Sequence, residues 1–388
     1  MGRGALDGIV VLDATQALSG PFCGMVLGDI GADVIKIELP EGDGVRRWGP
    51  PFAGDSGPTY VGFNRNKRSV VIDLRTSDGR SAFLKMVTRA DVVIENFRPG
   101  TMQRFGLGYE TLREHKSNLV YCAISGYGQS GPLAKQPAMD LMIQAISGMM
   151  SLTGEPDGRP AKAAAPITDL MGGFAGAFSI LAAIRERDRT GLGRFIDVSM
   201  LDVMLTMLGQ SIVAYMMSGE PPRRQGTAHQ LMAPYQSFRT ATREIVVSLA
   251  IQKRWELLCS LPEFKHLLGK AGYATQPERN ANRLALCREI EDILMTQPAE
   301  YWLEALHRLR LPVAPVNSLS EILNEPHLAH RGSLLEVEYP PGSGNRIKIP
   351  GMPWRDAASD KPLRNPPAIG EHTAQVFREF GITPDAGG

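Results

Sequence analysis

Along the first third of the chain, short apolar runs rich in β-branched residues alternate with segments of helical spacing. Gly8–Asp13, Asp33–Glu38, Ser69–Leu74, Asp91–Glu95 and Leu119–Ser125 read as strands, and Gly20–Ile30 and Asp78–Thr88 as helices between them. The strands are nearly continuous in apolar residues instead of alternating with polar ones. Such strands are covered on both faces, as in a parallel sheet with helices on each side. The pattern predicts an α/β chain with a doubly wound, Rossmann-like large domain that binds ligands at the carboxyl ends of its strands. Apolar residues fall on all faces of Met200–Met217, which predicts a buried helix covered in part by a second subunit. Asp202, Gln210 and Ser211 interrupt this stretch, and it is short of the roughly 20 apolar residues of a membrane span.

A Pro-, Gly- and Arg-rich stretch, GEPPRRQG, follows Ser218 and marks a linker. The expected division is a large domain over 1–220, a linker over 221–226, a smaller α/β domain over 227–319, and 320–388 as a linker and C-terminal segment returning to the large domain. Within the smaller domain, Glu244–Ala250 reads as a strand and Arg254–Ser260, Arg283–Met295 and Ala299–Arg308 as helices. A last helix is expected over Glu371–Phe380, after a proline-rich stretch from Pro340 to Pro367.

The 388 residues include 42 basic and 41 acidic side chains, so no charge excess favours nucleic acid or an anionic membrane as partner. Cys23, Cys122, Cys259 and Cys287 lie far apart without metal or redox spacing, and read as small buried apolar residues in a reducing compartment. The N-terminus lacks the pattern of a signal segment, and the expected location is cytoplasmic.

Three features carry candidate chemistry. Gly126-Tyr-Gly128-Gln-Ser-Gly131 matches the dinucleotide fingerprint, but Pro132 follows where a helix has to open, so a glycine-rich turn or a close approach to another ligand is the better reading. Pro166–Asp188 reads as a helix that begins near Thr168 and Asp169, with Gly172, Gly173 and Gly176 on the face of Asp169. Each glycine costs a helix interior about 1 kcal/mol against alanine, so close approach by a ligand or chain is expected there. Asp169 is either a helix-starting acid or a nucleophile, which the helix dipole is expected to keep ionised. Basic residues recur at Arg46–Arg47, Arg65–Arg68, Arg75, Arg98 and Arg104, in positions suited to a phosphorylated ligand.

The chain resembles the class III CoA-transferase family, which includes formyl-CoA transferase, carnitine-related transferases and α-methylacyl-CoA racemases. The resemblance is carried by LDGIVVLDATQALSGPFCG (Leu6–Gly24), LGDIGADVIKIE (Leu27–Glu38), NRNKRSVVIDL (Asn64–Leu74), ADVVIENFRPGTMQRFGLGY (Ala90–Tyr109), SGYGQSGP (Ser125–Pro132), ITDLMGG (Ile167–Gly173), APVNSLSEILNEPHLAHRG (Ala314–Gly332) and IGEHT (Ile369–Thr373). It implies a CoA-transferase with Asp169 as nucleophile, forming an aspartyl-CoA thioester, and with acyl-CoA and a small carboxylic acid as substrates. It further implies CoA contacts from Asn96, Phe97 and Arg104 and an adenine end near Ile72 and Arg75. The chemistry of such a transfer calls for oxyanion stabilisation, expected from backbone amides near Gly128 or at the start of the Asp169 helix. No metal and no permanently bound cofactor are implied. The implied assembly is a homodimer of interlocked, ring-like subunits. Leu18, Met139 and Gly226-Thr-Ala-His-Gln230 depart from formyl-CoA transferases and argue against formyl and oxalate specificity. The alternative is an α-methylacyl-CoA racemase, but Met139 stands where racemases have a histidine base, and methionine accepts no proton. His229, Met139 and Met142 are expected near the acyl pocket.

Overall fold

The structure is a computed structural model that describes residues 4–354 and 362–383. The chain divides into two compact units, one comprising Met1–Met149, Ala163–Ile212 and Ala329–Gly388, the other Met150–Lys162 and Val213–Leu328.

The first unit is built on strands β1 (Val10–Asp13), β2 (Asp33–Glu38), β3 (Lys67–Val71), β4 (Val92–Glu95), β5 (Val120–Ser125) and β6 (Arg194–Ser199). They form one sheet in the order β3-β2-β1-β4-β5-β6, with every pairing parallel. This is the doubly wound order, and it reverses between β1 and β4. The five expected strands are present. The sixth, β6, was not anticipated, because Arg194 and Asp197 break its apolar run and only Val198 and Ser199 are buried on this edge strand.

Apolar side chains on each face of the sheet form a core. One contains Val11, Val34, Ile94 and Ile124 beneath the helices Ser19–Asp29 and Ile167–Thr190; the other contains Leu12, Ile35, Val93 and Tyr121 beneath Ser77–Val87. All four cysteines are free and buried. The C-terminal segment covers the β3 edge: the His372 amide donates to Ser69 O and the Val71 amide to Thr373 Oγ1. Behind Thr373, the last helix (Thr373–Phe380) buries Val376. An antiparallel hairpin of β10 (Leu334–Glu338) with β11 (Arg346–Pro350) leads into the proline-rich stretch, absent from the sequence reading because its strands are short and half-exposed.

Met200–Met217 is not a single buried helix. It is broken at Leu208 into Met200–Met207, which buries only Met200 and Met204, and Gly209–Ser218, which buries nothing. Leu205, Met207, Val213 and Met216 are exposed along it.

In the second unit, β7 (Tyr235–Arg239), β8 (Glu244–Ser248) and β9 (Val313–Pro315) form an antiparallel sheet. The helices Gln252–Leu258, Arg283–Leu294 and Ala299–Arg308 pack around a core of Trp255, Phe264, Leu286, Ile290 and Trp302.

Candidate active site

The sheet reversal leaves a crevice between the loops that follow β1 and β4, and one side chain bridges it. Asn96 Oδ1 accepts the Gln16 amide at 2.8 Å, while Asn96 Nδ2 donates to Gln16 O at 2.7 Å and to Ser19 Oγ at 3.4 Å. Beside this clamp lies a cavity of about 160 Å³ lined by Ile72, Arg75 and Phe97 together with Gln16, Thr101 and Phe105. Three residues expected around CoA are thus brought together in the crevice where an open α/β sheet binds its ligand. Gln16, Thr101 and Phe105 were not singled out from the sequence, since a loop residue and one helix face carry no motif of their own. Arg104 stands one turn from Thr101 and donates to its Oγ1 at 2.9 Å. Arg75 is exposed and holds Asp73 through two nitrogens, at 2.8 and 2.7 Å.

The other basic residues expected to meet phosphate occupy different places. Arg46, Arg65, Lys67 and Arg68 are buried and paired with Glu38, Asp29, Asp13 and Asp33. They are scaffold, because desolvation at these positions demands a carboxylate partner for each cation. Arg47 and Arg98 remain exposed.

Asp169 lies in the first turn of the Ile167–Thr190 helix. The glycines on its face are explained by chain contact. A Cβ on Gly173 would stand 2.6 Å from Ser19 O, one on Gly176 2.9 Å from Ile124 Cδ1, and one on Gly172 3.1 Å from Met200 Cγ. The helix therefore sits directly on the turn that Asn96 clamps. Asp169 is four residues before Gly173, about 6 Å along the axis from that contact.

Nothing donates a hydrogen bond to the Asp169 carboxylate among the described residues. Burial pushes its carboxyl up to about 7, and the charge of Asp140 adds to the shift. Loss of water and a like charge thus oppose the helix start, which was expected to keep this carboxyl ionised. Asp140 begins the helix Asp140–Ile146, directly after the exposed Met139. Its Oδ1 accepts the Thr168 amide at 2.9 Å and Thr168 Oγ1 at 2.8 Å, and its Oδ2 accepts Gln144 Nε2 at 2.6 Å.

The glycine loop after β5 opens no helix; the next begins only at Asp140, which removes the dinucleotide reading. Gly128 has φ +81°, and a Cβ there would lie 3.5 Å from Asp197 Oδ2. The following amide, of Gln129, donates to both Asp197 oxygens at 3.1 and 2.9 Å. The amides of Gln129 and Thr168 are therefore already engaged and not free for an oxyanion.

In the second unit, Arg283 donates to His229 O at 2.8 Å and to Gln230 O and Met232 O at 3.4 Å, holding the loop that departs from formyl-CoA transferases. His229 stacks on Tyr235 and accepts the Leu231 amide at Nδ1, 3.1 Å away.

A family model described as CoA-transferase family III matches residues 6–373. The chain is 41% identical over 389 residues to a succinyl-CoA:mesaconate CoA-transferase of Haloarcula hispanica, covering 98% of this chain and 97% of that one. It is 33% identical over 376 residues to the human succinyl-CoA:glutarate CoA-transferase, covering 96% and 85%. A crystal structure of a CAIB/BAIF family protein from Brucella suis superposes with a TM-score of 0.86 at 34% identity, covering 98% of this chain and all of that one. Matched from end to end in sequence and in fold, the chain belongs to CoA-transferase family III.

Proposed function

We propose that the protein moves CoA from an acyl-CoA to a free carboxylic acid through a thioester on Asp169. The observation that carries this reading is a half-buried, donor-free carboxyl, pushed up to about 7, set one helical turn from the clamped turn at the sheet reversal. A carboxylate stripped of donors and water is a stronger nucleophile than a solvated one.

In the reading, an Asp169 oxygen attacks the donor thioester carbon, the C–S bond breaks, and an anhydride and CoA thiolate result. The thiolate then attacks the aspartyl carbon; the anhydride C–O bond breaks and the donor acid leaves as carboxylate. The acceptor carboxylate reverses both steps. Each exchange conserves the thioester as long as water is kept out. Ile72, Arg75 and Phe97 receive the adenine end, with Arg104 beside them.

The relatives named for succinyl-CoA with mesaconate or glutarate support succinyl-CoA as donor and a short dicarboxylate as acceptor. Racemisation is not favoured. Asp140, the acid beside Asp169, is occupied by three donors, and Met139 supplies no base. The working form is a homodimer, supported by the bare apolar side chains Leu141, Met142, Ile146, Phe178 and Leu205 on the first unit.

Succinyl-CoA assayed against a panel of free mono- and dicarboxylic acids tests the reading. Transfer to short dicarboxylates is expected, falling at least roughly 10³-fold in a folded Asp169→Ala variant. Full activity in that variant, or α-proton exchange without an acceptor, would contradict it.

A further inference from the structure

The start of the Asp169 helix has no cap of its own, since its N-cap residue is Pro166 and no side chain of that segment receives its first amides. The cap comes from 28 residues upstream. Asp140 Oδ1 takes both the amide and the hydroxyl of Thr168, the residue adjoining Asp169. Asp140 is itself held by Gln144, fully buried one turn along the same helix, whose Oε1 accepts the Ala163 amide at 2.8 Å. Three donors thus converge on Asp140 and none on Asp169, although the two carboxylates serve the same helical turn.

We infer that Asp140 is a positioning residue for the covalent step: it fixes the first turn of the Asp169 helix and loads its own charge against the Asp169 carboxylate, a repulsion that acylation discharges. The inference rests on the reading of Asp169 as nucleophile. When the thioester forms, the negative charge of Asp169 leaves with the donor acid, and Asp140 faces a neutral acyl group. The free enzyme therefore carries a like-charge cost that the intermediate lacks, which favours capture of CoA over a resting carboxylate.

Titratable groups on the elements packed against the Asp169 helix are Cys23 and Asp29 on Ser19–Asp29, Tyr121 and Cys122 on β5, Arg194 and Asp197 on β6, Asp202 on Met200–Met207, and Asp140. Of these it is Asp140 whose charge adds to burial in raising the Asp169 carboxyl. Charged residues of the same helix resume only at Arg185, more than four turns away.

The experiment is the pH profile of kcat/KM for succinyl-CoA in the wild-type enzyme, Asp140→Asn and Asp140→Ala, with thermal unfolding of each. Asparagine keeps an acceptor for Thr168 but no charge. In Asp140→Asn the acid limb is expected to move down from near 7 by roughly one pH unit, with unfolding close to wild type. Asp140→Ala is expected to show the same shift and a lower unfolding temperature. An acid limb unmoved in Asp140→Asn overturns the inference and leaves Asp140 as a cap only. Where that variant does not fold, Asp140→Ser decides, since serine also offers Thr168 an oxygen without the charge: an acid limb moved down from near 7 supports the inference, and an unmoved limb overturns it. In acylation by succinyl-CoA without acceptor, followed by peptide mapping, an adduct on another residue removes the nucleophile assignment and this inference together, whereas an adduct on Asp169 with an unmoved limb removes this inference alone.

Discussion

Two clusters of charge in the first unit, one buried and one half-buried, are built on opposite plans. Around β1, β2 and β3, three cations and three carboxylates neutralise one another. Lys67 Nζ meets Asp13 at 2.8 Å, Lys36 meets Asp43 at 2.9 Å, and Arg46 meets Glu38 at 2.7 Å. Remaining valences are also filled: Lys67 donates to Pro21 O and Asn64 Oδ1, and Arg46 to Ser56, Tyr60 and Tyr339. Burial alone would raise the carboxyls of Asp13 and Glu38, but their cationic partners prevail and hold both below their ordinary values. At the start of the Asp169 helix, two carboxylates adjoin with no cation between them among the described residues, and burial lifts one to about 7. The first arrangement holds the strand ends and the C-terminal segment together. The second leaves a half-buried acid without a counter-charge, the arrangement that the proposed nucleophile calls for.

The compensated cluster breaks most severely when one member is removed. Lys67→Met leaves Asp13 buried and unpaired, and is expected to cost about 3–5 kcal/mol in denaturant unfolding. A loss below about 1 kcal/mol would mean that the cluster contributes little.

The uncompensated pair predicts the reverse sign. A carboxyl raised from about 3.8 unfolded to about 7 folded loses stability as pH rises across that window. Asp169→Asn removes the cost, so the variant should be about 1–3 kcal/mol more stable than wild type at pH 8 and equal to it at pH 4. Equal stability at both pH values would remove the burial argument.

Gly173→Ala sharpens the comparison, since it changes no charge but separates the Asp169 helix from the clamped turn. Its Cβ would meet Ser19 O at 2.6 Å and Phe22 Cδ1 at 2.8 Å, so a loss of about 1–2 kcal/mol with reduced kcat is expected despite better helix propensity. Greater stability with unchanged kcat would show that the contact is loose. The smallest effect is expected at Arg75, whose pairing with Asp73 is solvated: Arg75→Ala should raise KM for the acyl-CoA several-fold and leave the unfolding temperature unchanged.

Much of the fold was legible because parallel strands buried on both faces, such as Val92–Glu95 and Val120–Ser125, announce themselves as unbroken apolar runs. Edge strands do not. Arg194–Ser199 carries two charges and lies half in solvent, so its pattern resembles a loop. The glycines beside Asp169 stood out from helical spacing, while its role as nucleophile came from the resemblance; the structure shows that the glycines admit Ser19, Ile124 and Met200. The charges were read least well. Arg46, Arg65 and Lys67 resemble phosphate ligands in sequence because the carboxylates that bury them arrive from positions 8, 36 and 54 residues away. Asp140 was invisible as a partner of Asp169 for the same reason: its cap on Thr168 spans 28 residues.

The account turns on whether the uncompensated acid becomes the covalent carrier. The direct measurement is incubation of the wild-type enzyme with succinyl-CoA and no acceptor, trapping with hydroxylamine or borohydride, and mass mapping of the peptides. An adduct on Asp169, absent without acyl-CoA, is the predicted result. An adduct on Asp140 or any other acid, or none while transfer proceeds at its normal rate, would contradict it.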